Sequence, residues 1–326
     1  MKNNIVFFSG GLASFAVAEY VKNLGGNTVL YFADTLWEDE DLYRFIYEVS
    51  DKLELPMLIH SKGITPPQLM VQKKFLANNR VGICSKELKM KVAADYLKDG
   101  IVPAIEKWHN KHFLKHEDFI NNATLFFGIG FMEQHREGPI RANWEKHGFS
   151  VEFPLIEHVI DTEELLKNYA IRRPRLYDMQ FAHNNCKGRC VKAGSGHFKN
   201  LLMKDEKTFI ELMEQEIVLS EYVRYCKQPS IKNGKQKDYM FKDVYEFVST
   251  GEKSEKIKHI LSISEYLSSS RRLFGEDSKG NPIKKPYTFM KNKSLYDLEK
   301  EPVQCDMWDI GGCSCFIDYE DEGESA

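Results

Sequence analysis

Nowhere in the chain does an apolar run approach the roughly 20 residues that a bilayer-spanning helix needs. The opening MKNNIVFFSGG turns polar and glycine-rich too soon for a secretory signal. A cytoplasmic protein with no membrane partner is the expectation. Charge of one sign is also scarce: 45 Lys and Arg stand against 48 Asp and Glu, a formal net charge of -3. That balance gives no global attraction to nucleic acid, so such a partner would have to use a local basic patch. Cysteine is sparse as well, 7 in 326 residues, and several are tightly grouped. This suits metal or catalytic use in a reducing compartment better than a disulfide framework. Apolar residues, by contrast, make up 42% of the chain, enough at this length for one large domain and a smaller one.

Two periods alternate through the first half. Asn4 to Phe8 is a short apolar run; Leu12 to Leu24 repeats apolar residues at helical spacing until Gly25-Gly26 ends it. Thr28 to Ala33 and Pro56 to His60 read as further strands, with a helix over Glu40 to Leu53 between them. Ile83 to Leu97 predicts a helix and Thr124 to Phe131 a strand. Ser150 to Leu155 predicts a last strand before a helix over Thr162 to Ile171, with Asp161 as its cap. The alternation predicts an α/β fold, a doubly wound parallel sheet with helices on both faces. Past Pro174 the pattern becomes turn-rich and cysteine-bearing, with a helical stretch at Lys207 to Tyr225. The expected organisation is an α/β domain over 1–172, a cysteine-containing, mainly helical module over 173–317 and an acidic, solvated tail over 318–326.

Between the first strand and the first helix lies Ser9-Gly10-Gly11-Leu12-Ala13-Ser14. In an open parallel sheet, ligands sit beyond the carboxyl ends of strands, where a helix start offers unpaired amides. Gly10 and Gly11 permit tight curvature, and the Ser9 and Ser14 hydroxyls can donate to phosphate oxygens, so an anion is the natural guest. The plainer alternative is a strand-to-helix turn with a serine cap. This elbow is neither a Walker loop nor a dinucleotide G-x-G-x-x-G.

With these residues the chain resembles the adenine nucleotide alpha-hydrolase, or PP-loop, superfamily, whose fingerprint is SGGxDS after the first strand. Ala13 stands where the fingerprint has aspartate. Three further segments are similar to the phosphoadenosine phosphosulfate (PAPS) reductase-like branch found in bacteria and phages. Asp34-Thr35-Leu36-Trp37-Glu38 looks like its DTGxE, and Ile83-Cys84-Ser85-Lys86-Glu87-Leu88-Lys89 is similar to its CTxxLK. Gly128-Ile129-Gly130-Phe131-Met132-Glu133-Gln134-His135-Arg136 looks like its G-(x)n-E-x-x-R. The likeness covers roughly the first 155 residues. It implies that fold, with ATP or a related adenine nucleotide over the sheet. Binding would fall to Ser9, Gly10, Gly11, Leu12, Ala13, Ser14, Phe32, Asp34, Glu38, Lys86, Gly128, Glu133 and Arg136. Catalysis would fall to Ser9, Ser14, Lys89 and Arg136.

Each segment also has a chemical reading of its own. Asp34 and Glu38, following the second strand, suit Mg2+ or a ribose hydroxyl, the alternative being solvated loop carboxylates. Lys86 and Lys89 lie about one helical turn apart and suit phosphate, the alternative being an exposed charged face. Arg136 suits a bidentate phosphate clamp, with Glu133 and His135 as orienting neighbours.

The cysteines pair up. Cys186-Lys187-Gly188-Arg189-Cys190 gives C-x3-C and Cys313-Ser314-Cys315 gives C-x-C, with Cys305 as a spare. Four thiolates beside glycine turns suit Zn2+ or an iron-sulfur cluster, the alternative being buried unligated thiols. The Arg173 to Gly194 segment is similar to the downstream region of phage-type PAPS reductase-like proteins. Its Arg, Lys, His and Asn suit a phosphate-bearing substrate. An ECGLH-type tail and the Cys-Cys pair of sulfonucleotide reductases are missing.

The resemblance thus implies an ATP-dependent transferase or ligase forming AMP and pyrophosphate. Its acceptor would be a nucleobase or nucleic acid, modified by thiolation or a related reaction, with a sulfur donor protein as a further partner. The alternatives are a sulfonucleotide reductase-like enzyme and a non-catalytic nucleotide-binding regulator. Oligomeric state stays open.

Overall fold

The computed structural model describes residues 1–262, 287–291 and 293–301. Their chain forms two compact units, Met1–Gly63 with Ser85–Lys187, and Ile64–Cys84 with the described residues of Gly188–Cys313. The division differs from a break at 172. Residues 173–187 stay with the first unit, and the second takes a segment from inside the α/β sequence.

The first unit is built on a six-stranded sheet: β1 (Asn3–Phe7), β2 (Asn27–Ala33), β3 (Met57–Ser61), β4 (Ile105–His109), β5 (Thr124–Phe127) and β6 (Ser150–Glu152). The order is β4-β3-β2-β1-β5-β6, and every pair is parallel except β3 with β4. Strands run outward from β1 in both directions, so the order reverses between β1 and β5. That is the switch point of a Rossmann-like sheet.

Side-chain alternation assigns the two faces. Val6, Phe8, Leu30, Phe32, Met57, Ile59 and Phe126 meet α1 (Leu12–Leu24) and α2 (Glu40–Leu53) on one side. Ile5, Phe7, Val29, Tyr31, Leu58, Leu125 and Phe127 line the other. Both faces are buried, which is why the central strands read as continuous apolar runs. Each fully buried Phe, Ile or Leu contributes roughly 1.5–3 kcal/mol relative to exposure. Asp39 caps α2, accepting the Asp41 N–H at 2.8 Å.

Strand β4 was not expected. Its sequence IEKWH is half-exposed and lacks an apolar run. It is tied to β3 through an opposed pair, His60 and Glu106, whose Nε2 and Oε2 lie 2.9 Å apart. The Tyr31 hydroxyl lies 3.1 Å from His60 Nδ1, and burial holds the imidazole below its ordinary pKa.

Several boundaries also move: the strand expected over Ser150 to Leu155 stops at Glu152, and the helix expected to reach Ile171 stops at Asn168. The strand expected to reach Phe131 stops at Phe127, and Phe131–Arg136 forms a 3-10 turn. The helix expected over Ile83 to Leu97 opens with a π-helical stretch, Ser85–Met90, after α3 (Pro66–Lys73) and before α4 (Lys91–Asp99). α5 (Glu137–Trp144), α6 (Pro154–Glu157), α7 (Thr162–Asn168) and α8 (Arg175–Asp178) complete the first unit.

The second unit is helical among the described residues: α3 with α9 (Ser195–Lys204), α10 (Glu206–Cys226), α11 (Pro229–Lys232), α12 (Phe241–Thr250), α13 (Glu255–Ser262) and α14 (Leu295–Glu299). Its centre is α10, which buries Phe209, Leu212, Leu219 and Tyr222. Glu216 of α10 is also buried. Its Oε1 accepts the Phe289 N–H and its Oε2 the Leu295 N–H, each at 2.7 Å, which holds Phe289 and Leu295 to the helix. No helix among the described residues is long and apolar enough to cross a membrane.

Candidate functional site at the carboxyl edge of the sheet

The elbow leaves β1 at the switch point and enters α1 with Gly11 as its N-cap. Glycine is required at position 10 on two counts: φ is +78°, and a Cβ would lie 2.9 Å from both Ile46 Cγ2 and Leu42 Cγ. The α1 start has no side-chain cap. Among the described residues, the Ala13 and Ser14 amides have no acceptor, as expected of first-turn amides, whereas the Leu12 N–H is accepted by the Tyr177 hydroxyl at 3.2 Å. Two amides at the positive end of a helix therefore remain for a ligand. The serine hydroxyls face inward: Ser14 Oγ donates to the Gly11 carbonyl at 2.8 Å and Ser9 Oγ to Ser14 Oγ at 3.3 Å. To reach a phosphate they would have to rotate.

Gly128 follows β5 and packs directly on the elbow. A Cβ there would lie 2.8 Å from the Ser14 nitrogen and 2.9 Å from its Cα. Backbone cannot yield as a flexible side chain can. We expect Gly128→Ala to cost about 1–3 kcal/mol by overpacking and to weaken any ligand held by the elbow. Thermal unfolding and nucleotide titration check both parts.

Asp34 continues β2, its N–H donating to the His60 carbonyl at 2.8 Å. The β1–β2 register pairs Phe7 with Tyr31, so the elbow and Asp34 both leave the carboxyl ends of neighbouring parallel strands. Asp34 Oδ1 accepts two bonds, from the Leu36 N–H at 2.8 Å and the Tyr43 hydroxyl at 2.7 Å. Burial holds the Asp34 carboxyl above its usual range, against the pull of those bonds and of the Lys89 charge, and the nearby Glu38 adds to the rise. Leu36, where the resembled motif has glycine, keeps a left-handed backbone at φ +56°. Leu36→Gly should remove roughly 1–2 kcal/mol of backbone strain, visible as a raised melting midpoint.

Glu38 is fully engaged. Its Oε1 takes the Thr35 hydroxyl at 2.9 Å and sits 3.4 Å from Lys89 Nζ, while its Oε2 accepts the Cys186 N–H. Lys89 and Glu38 are both buried, whereas Lys86 is half-exposed. The shared face expected of Lys86 and Lys89 is lost because a π-helix advances more residues per turn than an α-helix. Phe32 is committed to the core, its ring set edge-on to Tyr43.

Arg136 is buried at the end of the 3-10 turn and ion-paired with Glu133, three residues earlier. Eclipsed i,i+3 positions explain that pairing. His135, Phe131 and Met132 are exposed.

The segment 172–187 closes onto this edge instead of opening a second domain. Arg175 forks onto Asp39, with Nε to Oδ1 at 2.9 Å and Nη2 to Oδ2 at 2.6 Å. Arg172 Nη2 reaches Asp41 at 2.6 Å. Asn184 Nδ2 donates to the Gly10 carbonyl at 3.0 Å. Of the arginines expected to meet a phosphate-bearing substrate here, Arg175 is thus engaged with Asp39, and Arg173 Nη1 lies 3.4 Å from Glu163 Oε1. Cys186 and Lys187 adopt left-handed backbones at φ +57° and +52°, a turn of the kind that stores strain.

Cys186 and Cys190 are buried thiols. Cys305, Cys313, Cys315 and the acidic tail lie outside the described residues. Among the described residues, no group of three or more His, Cys, Asp or Glu is arranged to hold a metal ion. The site's unforeseen members are Tyr43, Tyr177, Thr35 and Asn184. The two tyrosines carry no signal in sequence beyond that of buried aromatics.

Fold and edge together define a Rossmann-like α/β unit with a glycine elbow at its switch point. A scan of family models, a search of curated proteins and a search of solved structures each found no match.

Proposed function

We propose that the protein is an adenine-nucleotide-dependent enzyme of the PP-loop, PAPS reductase-like type. In this reading it activates an acceptor with ATP and releases pyrophosphate. The observation that carries the reading is the elbow: first-turn amides of Ala13 and Ser14 left for an anion at the β1–β5 switch point. Buried Lys89 and Arg136 support it as sources of positive charge.

An acceptor oxygen attacks the α-phosphorus, and the bond to the bridging oxygen breaks with its electron pair leaving on pyrophosphate. Nitrogen or sulfur then displaces AMP from the adenylylated carbon. The chain's part is positioning and stabilising charge on the leaving group through the elbow amides, Lys89 and Arg136. The acceptor in this proposal is a nucleobase or nucleic acid undergoing thiolation or a related modification, with a sulfur donor protein as a further partner.

The residues do not fit a Mg2+ held by Asp34 and Glu38 together, since Glu38 is bonded through both oxygens and already faces the Lys89 ammonium at 3.4 Å. Mg2+ fits instead as an ion carried in on the ATP phosphates. A zinc or iron-sulfur site at Cys186, Cys190, Cys313 and Cys315 is proposed on the chemistry of the thiol pairs. Full metal content in both Cys186→Ser and Cys313→Ser would overturn it.

The test is incubation of purified protein with ATP and Mg2+, with and without total RNA or DNA, while AMP and pyrophosphate are followed. Equal amounts of both products, increased by the nucleic acid, are expected. Sulfite release from adenosine phosphosulfate with thiol would favour a reductase, and nucleotide binding without turnover a regulator.

A further inference from the structure

Asp34 is buried, yet only one of its oxygens is used. Both hydrogen bonds fall on Oδ1, from Leu36 and Tyr43; Oδ2 takes no bond from the described residues. Tyr43 stands on α2, next to the Leu42 against which Gly10 packs. Burial raises its pKa, with the Asp34 charge adding to the effect, so the hydroxyl keeps its proton and donates. A carboxylate pinned through one oxygen cannot rotate freely. Its second oxygen is held in a set direction at the carboxyl edge, at the end of the strand next to the one that feeds the elbow.

We infer that Tyr43 is a positioning residue which, through Asp34 Oδ1, aims Asp34 Oδ2 at a ribose hydroxyl of the bound adenine nucleotide. The inference rests on the nucleotide reading above. Ribose is favoured over a metal ion by the inventory of acceptors. Neighbouring Glu38 is already bonded through both oxygens and faces the Lys89 ammonium, which repels a second cation, and one open Asp34 oxygen suffices for one hydroxyl but is a poor cage for a divalent cation. A charged acceptor also makes the stronger kind of hydrogen bond, so losing it is read as a large selectivity change.

The experiment compares the affinities of ATP and 2′,3′-dideoxy-ATP by calorimetry at fixed Mg2+, for wild type, Tyr43→Phe and Asp34→Asn. Wild type is expected to prefer ATP by about 10-fold or more, the effect of one hydrogen bond to a charged group. Asp34→Asn should reduce that preference to about 3-fold or less, and Tyr43→Phe should fall between them. A purely structural role would lower both affinities together and leave the ratio unchanged. Wild type binding both nucleotides equally overturns the ribose assignment while leaving the nucleotide reading intact; wild type binding neither overturns both. Equal, Mg2+-dependent loss for both nucleotides in Asp34→Asn also overturns it, in favour of a metal ligand. Should Asp34→Asn fail to fold, 2′-deoxy-ATP and 3′-deoxy-ATP on wild type decide the question alone.

Discussion

Glu216→Ala is expected to destabilise the second unit by roughly 2–6 kcal/mol, since two buried backbone amides lose their acceptors at about 1–3 kcal/mol each. Phe289 and Leu295 supply those amides, and the Leu295 N–H is the first of α14. Loss on this scale is a large share of a domain's stability. It should appear as faster proteolysis around 289–295 and a lower melting midpoint. The pH dependence has a definite sign. Burial pushes the Glu216 carboxyl up to about 8, against the two amide bonds, with Asp297 adding to the rise. Between its ordinary value near 4.5 and that value, the folded state holds a proton that the unfolded state has lost. Stability from this group therefore falls as pH rises through that window and levels off above it. Glu216→Gln, unable to ionise, should flatten the decline. Its amide group can accept only one of the two N–H bonds, so it should also melt below wild type at pH 6. Circular dichroism melts from pH 5 to 9 provide the check.

Lys89→Met carries the second large effect. Removing one partner of a buried ion pair strands the other charge, at about 3–5 kcal/mol; here the stranded group is Glu38, and its Oε1 lies 3.4 Å from Lys89 Nζ. The expected variant is poorly stable and binds nucleotide at least tenfold more weakly. Adding Glu38→Gln separates the two roles. With the carboxylate neutralised, much of the lost stability should return, while nucleotide affinity stays low because the cation is still gone. Denaturant unfolding and ATP titration of the two single variants and the double variant form the cycle. Recovery of both properties together would make Lys89 a partner for Glu38 alone.

The legible and illegible parts of the site differ in kind. Strands β1, β2, β3 and β5 could be read because burial on both faces writes itself as unbroken runs such as TVLYFA. The elbow could be read because Gly10-Gly11 marks a backbone need that no other residue meets as easily. Strand β4 could not, since an edge strand held by His60–Glu106 pairing leaves no apolar pattern. Tyr43 sits beside the Leu42, Phe45, Ile46 and Val49 stripe of α2 and reads as one more core side chain. Its hydrogen bond to Asp34 exists only in three dimensions. Arg175 looks like a phosphate binder as sequence, because nothing local announces that Asp39, more than 130 residues earlier, will claim it. Lys86 and Lys89 part company for a subtler reason: spacing arguments assume 3.6 residues per turn, and Ser85–Met90 is a π-helix.

The central claim is that the elbow amides hold the phosphates of an adenine nucleotide. The most direct measurement is an amide nitrogen–proton NMR titration with ATP and Mg2+, following Ala13 and Ser14. Saturable shifts are expected at both amides, larger than those across the helices of the second unit, and matched by inorganic pyrophosphate. ATP binding that leaves Ala13 and Ser14 unmoved while shifting amides elsewhere would contradict it.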